Sequence, residues 1–332
     1  MLHNYVDTII SESDYDQLNR DVTDEEIKLA FFSLNPNKAP GPDGFNGFFF
    51  KKAWNVVGKD IIDAIRSFFT SGSMLREVNA TIIALIPKIP NPTKLKDYRP
   101  ISCCNTIYKG ITKLIAERIK SVLPKVTDEA QSAFVQGRRI SDNIFLAQEL
   151  MRGYHKKNQI AKCTVKVDLK KAYDSIRWEF VWDTLDLMGI PRKIINWIQA
   201  SMSTAMFSVS INGDLNGYFP GAKGLRQGDP LSPYLFVLCM NVLSSILRKE
   251  TGAVSQFKYH WRCEKTNLTH LCFADDLMLF CKGELLSATV LKKALDWFSK
   301  FSGLVPNCSK SNIFISGVDD RLGNQLQQLF GF

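Results

Sequence analysis

The 332-residue sequence has no Cys-x-x-Cys pair among its eight cysteines, and its four histidines, His3, His155, His260 and His270, form no metal-binding cluster. Zinc knuckles, dithiol redox chemistry and histidine-centred hydrolysis are thereby left without support. The cysteines read instead as reduced core residues of an intracellular protein. Long apolar runs are also missing: the most apolar region, residues 230–247, is broken by Ser232, Pro233, Asn241 and Ser244. Nor does the N-terminus carry a basic-then-apolar signal pattern, so neither a membrane nor a secretory assignment follows. Internal repeats and low-complexity segments are absent. Acid is the scarcer charge, with 33 Asp+Glu against 42 Lys+Arg and a net charge of +9. Residues 1–30 hold eight acids and two bases, net −6, which leaves +15 on the remainder. Such a surplus favours a polyanionic partner such as nucleic acid.

What is present is an ordinary globular composition, 45% hydrophobic and 23% charged, organised around LTHLCFADDLMLFC at residues 268–281. Two β-prone apolar runs flank a tight polar break, the mark of a β-hairpin with Asp275 and Asp276 at its turn. Adjacent carboxylates repel unless a cation compensates, so the pair calls for a metal and for at least one further acid.

Along the chain, Thr23 with Glu26 forms a capping box, and Ile27, Ala30, Phe31 and Leu34 recur at helical spacing. The loop NPNKAPGPDGF at residues 35–45 then excludes regular structure through its prolines and glycines. Residues 48–69 are helical in period, with Trp54, Phe68 and Phe69 assigned to core. TIIALIP is a strand-like apolar run followed by the polar stretch KIPNPTKLKDYRPIS, which fits two strands with a basic loop between them and Lys88, Lys94, Lys96 and Arg99 lining one end of the unit. A helix over 108–123 and a second over 142–154 bracket QSAFVQGRR, with Gly137, Arg138 and Arg139 as a basic turn. CTVKVDL alternates strictly, placing Cys163, Val165 and Val167 on one strand face and Asp168 at the strand's end. A hairpin turns at Asn212-Gly213, a long helix starts at Ser232-Pro233, a helix covers 288–301, and a strand closes SGLVPNCSKSNIFIS.

Strand, loop with long helix, hairpin, helix and strand make a βαββαβ-like alternation, which builds an antiparallel sheet with helices on one face. Such a sheet brings the end of the Asp168 strand beside the hairpin turn. Successive residues of an extended chain point opposite ways, so Asp168 and Asp275 are expected to bridge a metal, with Asp276 secondary. Oxygen donors without His or Cys select Mg²⁺ or Mn²⁺, and a pair of ions about 3.5–4 Å apart suits phosphoryl transfer.

The ordered blocks NKAPGPDGF, LIPK, DYRPISCCN, QSAFVQGRRISDNI, VKVDLKKAYDSI, GLRQGDPLSPYLF, FADD and GLVPNCSKS resemble the reverse transcriptase domain of non-LTR (LINE-type) retrotransposons, plant ones especially, almost end to end. The resemblance implies an α+β right-hand polymerase: an acidic helical segment over 1–35, a fingers-like region over 36–160 and a palm over 161–332. It implies an RNA-directed DNA polymerase that uses RNA template, DNA primer and dNTPs, two Mg²⁺ or Mn²⁺ ions, and no membrane, inside the cell and in the nucleus. Asp168, Asp275 and Asp276 match its metal-binding carboxylates. Tyr173 matches the aromatic gate that clashes with a ribose 2′-OH. Gln227 and Gly228 match the loop beside the incoming nucleotide. Lys88 and Arg99 match the triphosphate contacts, with Lys94 or Lys96 as alternatives to Lys88. Lys310 matches the lysine that protonates the leaving pyrophosphate. Phe273 departs from the tyrosine usual in its block. The family's endonuclease, thumb and RNase H segments have no counterpart in the sequence, so a retrotransposon fragment is expected. A catalytically weak or inactive nucleic-acid-binding fragment is the alternative function.

Overall fold

The computed structural model describes residues 2–6, 10–155 and 160–332. Helices α1 (Glu12–Asn19), α2 (Asp24–Ser33), α3 (Gly47–Lys52) and α4 (Trp54–Ser71) precede strands β1 (Ala80–Pro87) and β2 (Tyr98–Cys104). Next come α5 (Thr106–Val126), α6 (Ile140–Met151), β3 (Lys162–Val167), α7 (Ala172–Ser175), α8 (Trp178–Leu187), α9 (Arg192–Ser203), β4 (Met206–Ile211) and β5 (Asp214–Pro220). The chain ends with α10 (Ser232–Ala253), β6 (His270–Phe273), β7 (Asp276–Lys282), α11 (Leu285–Ser302), β8 (Asn312–Ser316) and α12 (Asp320–Phe330). Two compact units form, and each is discontinuous in sequence: one takes Met1–Ile9, Leu123–Met188 and Leu235–Phe332, the other Ile10–Val122 and Gly189–Tyr234.

The first unit is built on a four-stranded sheet of order β6-β7-β3-β8, antiparallel throughout as the alternation predicts. Cys163, Val165 and Val167 of the central strand β3 are all buried, and Lys166 on the opposite face is exposed. That opposite face is not uniformly open. Thr164 is buried there, its hydroxyl 2.6 Å from the Tyr154 phenol. Against the sheet, α11 buries Ala288, Leu291, Leu295 and Phe298, one stripe at three- and four-residue steps. α11 contacts β7, α8 and α12. Gly303, at φ +79°, ends α11 in the left-handed conformation that L side chains avoid. Over most of its length α10 is buried from Leu235 to Leu247, and each large apolar side chain hidden this way contributes about 1.5–3 kcal/mol. α12, opened by Asp319 accepting from the Leu322 N–H at 2.7 Å, lies beyond the elements read from the sequence.

The second unit holds another four-stranded sheet, β2-β1-β4-β5. Its two hairpins, β1–β2 and β4–β5, agree with the sequence reading, and Asn212 and Gly213 turn the latter at φ +53° and +95°. The parallel pairing of β1 with β4 is not in that reading, and it makes this sheet mixed. Residue alternation identifies a strand but carries no information about which edge a strand more than a hundred residues away will seek. The single helix expected over 48–69 is two, because Ala53 ends α3 and begins α4. The capping box at Thr23 and Glu26 forms as expected, and Ile27, Ala30 and Phe31 are buried.

Candidate active site

β6 and β7 are joined by only Ala274 and Asp275, since Phe273 pairs with Asp276 across the hairpin. Ala274 sits at φ +53°, a left-handed backbone that a residue with a Cβ adopts at a cost of about 1–2 kcal/mol. β3 pairs with β7 up to Val167 opposite Leu277, so Asp168, the next residue of β3's chain, emerges at the end of the sheet where Asp276 begins β7. The sheet therefore brings the three predicted carboxylates to one end. Asp275 and Asp276 are exposed and Asp168 is partly so. The Asp275 carboxyl is raised above the ordinary carboxylate range, first by the protein displacing water around it, then by the charges of Asp276 and Asp168. Among the described residues no three His, Cys, Asp or Glu side chains stand close enough together to hold a metal ion. The donor chemistry fits a hard divalent cation and the mutual repulsion favours one, but the three carboxylates do not by themselves close a cage.

Asp168 is held by the segment after α11. Its N–H donates to Ser311 Oγ at 3.1 Å and its carbonyl accepts from the Asn307 N–H at 2.7 Å. Its Oδ2 accepts from Asn307 Nδ2 at 3.3 Å and lies 3.9 Å from Lys310 Nζ. Lys310 thus lies beside Asp168 with its side chain largely exposed. Asn307 and Ser311 were missed, although both stand in the GLVPNCSKS block. A polar residue flanked by others gives no signal of its own until the strand it braces is placed beside it.

Tyr173 is half-buried on α7, which Lys171 opens at φ +46°. Its ring stacks on Phe236 with centroids 4.8 Å apart and planes at 12°. Burial, and then the Asp275 charge, push its phenol up to about 12. Tyr173 is therefore both packed, as a core tyrosine would be, and within the field of the Asp275 carboxylate. Phe273, partly buried, ends β6.

Lys88, Arg99, Gln227 and Gly228 belong to the second unit. Arg99 is exposed and pairs in register with Ile86 across the β1–β2 hairpin. The exposed Lys88 donates from Nζ to the Lys96 carbonyl at 3.0 Å. The Gln227 carbonyl accepts from the Ser102 N–H at 2.8 Å. Gly228, at φ +119°, passes so close that a Cβ would lie 2.9 Å from the Ser102 carbonyl oxygen, so no other residue fits without a shift.

Two neighbours of that glycine escaped the sequence reading. Arg226 is buried with its guanidinium 4.3 Å over the Tyr108 ring, donating to Asn79 Oδ1 at 2.6 Å and to the Ser201 carbonyl at 3.1 Å. Burial disfavours its charge, but Tyr108, Cys104 and Asp229 together raise its pKa. Asp229 accepts from the Tyr108 hydroxyl at 2.7 Å and from the Leu231 N–H at 3.0 Å. Arg226 and Asp229 thus anchor both ends of the Gln227-Gly228 step. The signal available was two opposite charges three residues apart in an otherwise apolar, glycine-bearing loop. Arg138, read as part of a basic turn, is also structural: its guanidinium donates to the carbonyls of Thr127, Asp128 and Gln131.

Compared with known proteins, residues 86–327 match the family described as reverse transcriptase (RNA-dependent DNA polymerase). The uncharacterized 149 kDa protein of transposon TX1 from Xenopus laevis is 27% identical over 310 residues, 93% of this chain and 23% of that protein. A Pol polyprotein of the type-2 retrotransposable element R2DM from Drosophila melanogaster is 28% identical over 290 residues, 87% of this chain and 26% of that protein. An uncharacterized mitochondrial protein of Arabidopsis thaliana is 47% identical over 68 residues, 20% of this chain and 54% of that protein. The chain spans about a quarter of the length of the two longer relatives.

Proposed function

The chain belongs to the reverse transcriptase family, in its non-LTR retrotransposon branch, and from that membership we propose that it extends a DNA primer on an RNA template by nucleotidyl transfer from dNTPs. The observation that carries this reading is the meeting of Asp168, Asp275 and Asp276 at one sheet end, with the Asp275 carboxyl raised by loss of surrounding water and then by both of the others. The palm is read over 161–332 and the fingers over 36–160, a division that differs from the two compact units, since the unit bearing the carboxylates also takes 123–160 and leaves 189–234 to the other. Asp168 and Asp275 would hold Mg²⁺ or Mn²⁺, with Asp276 secondary. Two such ions would supply activation of the primer 3′-hydroxyl and neutralisation of the triphosphate.

The chain's own residues contribute the rest. The Tyr173 ring, fixed against Phe236, would act as the gate that excludes a ribose 2′-OH and so selects dNTPs. Arg99 grips the triphosphate through its planar fork, assisted by Lys88, while Gln227 and Gly228 line the incoming nucleotide. Lys310 Nζ, drawn toward Asp168, releases a proton to the departing pyrophosphate. A plant origin, which the quoted blocks and the Arabidopsis likeness favour, and a nuclear location are part of the same proposal.

Primer extension on an RNA template with Mg²⁺ tests the proposal. Wild type is expected to incorporate dNTPs, and Asp275→Asn to lose at least about 10²-fold in rate, the scale of removing one preorganised electrostatic group. Salt-sensitive RNA binding without incorporation at any primer length would establish the nucleic-acid-binding alternative instead. Incorporation that survives Asp275→Asn would remove Asp275 from the metal site.

A further inference from the structure

The hairpin that carries Asp275 is gripped from outside its sheet by a segment to which the chemistry above gives no role. Residues 130–132, where the QSAFVQGRR block begins, run parallel to β6 and form a bridge between Gln131 and Cys272. The Cys272 N–H donates to the Ala130 carbonyl at 2.8 Å, and the Ser132 N–H donates to the Cys272 carbonyl at 3.1 Å. From α6, Asn143 Nδ2 donates to the same two carbonyls, at 3.2 Å to Ala130 and 2.9 Å to Cys272. Where β6 ends, Gln131 Oε1 accepts the Ala274 N–H at 3.1 Å and the Ala133 N–H at 3.0 Å. Gln131 is 1% exposed, and its Nε2 makes no hydrogen bond among the described residues. The oxygen alone is what the hairpin uses, shared between its own segment at Ala133 and the left-handed residue immediately before Asp275.

Ala274 has no intrinsic preference for φ +53°, a left-handed backbone that a residue with a Cβ holds only when its surroundings fix it. Without an acceptor for its N–H the turn would relax toward ordinary backbone, and Asp275 would leave β6 in another direction. We infer that Gln131 is a positioning residue, whose side-chain oxygen fixes the Ala274 turn and thereby the aim of Asp275. The inference rests on the role proposed for Asp275, and it names a residue that touches neither substrate nor metal.

Two measurements on the full chain test it. Hydrogen–deuterium exchange over residues 271–278 needs no activity: Gln131→Met is expected to speed exchange there while β3 and β8 keep their protection. In primer extension the same variant is expected to lower kcat by roughly 10–100-fold, the scale of losing an outer-shell partner of a functional group, with dNTP KM and primer–template affinity within about twofold of wild type. Adding Ala274→Gly, which tolerates positive φ, is expected to restore part of kcat, a rescue that a merely structural role for Gln131 would not produce. If Gln131→Met does not fold, Asn143→Ala loosens the same clamp from a partly exposed helix position and is expected to give the same exchange pattern. Unchanged exchange at 271–278, or a kcat loss that only follows the unfolded fraction and ignores Ala274→Gly, overturns the inference. Faster exchange in a protein whose wild type incorporates no nucleotide would keep the clamp and remove the polymerase proposal.

Discussion

Asp275 is a residue the fold tolerates at a cost. Its carboxyl is raised by crowding and by two like charges, so the folded state binds its proton more readily than the unfolded chain does. Stability contributed this way is fullest at low pH and is lost as pH climbs from 3.8, the ordinary value, through the raised one. At pH 7 the whole penalty is present. Asp275→Asn is therefore expected to melt above wild type at pH 7 in the absence of divalent cations, with the gap closing below pH 3.8. Thermal unfolding at the two pH values checks this, and a variant less stable than wild type at pH 7 would contradict it. The residues that aim and brace this site were not legible in the sequence. Asp168, Asp275 and Asp276 stand out because acids beside apolar runs are anomalous. Gln131, Asn307 and Ser311 do not, because uncharged polar residues are unremarkable until the tertiary fold shows which backbone group each one satisfies.

At the scale of elements, β6 carries a second titratable anomaly. His270, its first residue, is buried between Ser244, whose hydroxyl lies 2.7 Å from Nε2, and Thr269, whose hydroxyl lies 3.0 Å from Nδ1. Burial depresses its pKa to about 4, outweighing the pull of Asp128, and Arg248 depresses it further. His260, stacked on Tyr154, is likewise lowered to about 4 by burial and then by Lys162. Both rings are neutral in the folded unit. The unfolded chain takes up protons first, so this stability is complete above pH 6.5 and is lost as pH falls from 6.5 toward 4. Each ring contributes a slope of at most about 1.4 kcal/mol per pH unit. His270→Gln, which keeps a hydrogen-bonding group near Ser244, is expected to shrink the drop in melting temperature between pH 7 and pH 5. A drop as steep as that of wild type would show that His270 is not the group titrating. Elements of this kind were the most legible part of the fold. Alternation marked β3, the Asn212-Gly213 dipeptide marked the β4–β5 turn, and the Thr23–Glu26 box marked α2. Their boundaries shifted where the deciding contact is remote, as for α6, which starts at Ile140 rather than 142.

Across the whole molecule, charge is distributed with a purpose that neither the total nor the local motifs reveal. Among the acids of the N-terminal region, Glu26 meets Arg20 and Arg118, Asp24 meets Arg66, and Asp21 meets Lys193. Arg118 also donates to the carbonyls of Leu18, Arg20 and Asp21, so this stretch is bolted into its unit and is not a free acidic tail. These pairs tie Asp21, Asp24 and Glu26 to bases of the same unit, while residues 31–332 carry a net +15. The sequence foretold the surplus but not this pairing, just as it foretold strands β1 and β4 but not their parallel union. Exposed lysines and arginines that contact phosphates release condensed counterions, and affinity then falls with salt in proportion to the number of contacts. RNA–DNA primer–template binding is expected to weaken on a log–log plot against salt with a slope of about −4 to −6, as for four to seven phosphate contacts. Fluorescence anisotropy between low and physiological salt measures that slope directly. A slope near zero would mean that the basic surplus does not contact phosphates, and the nucleic-acid reading would lose its electrostatic support.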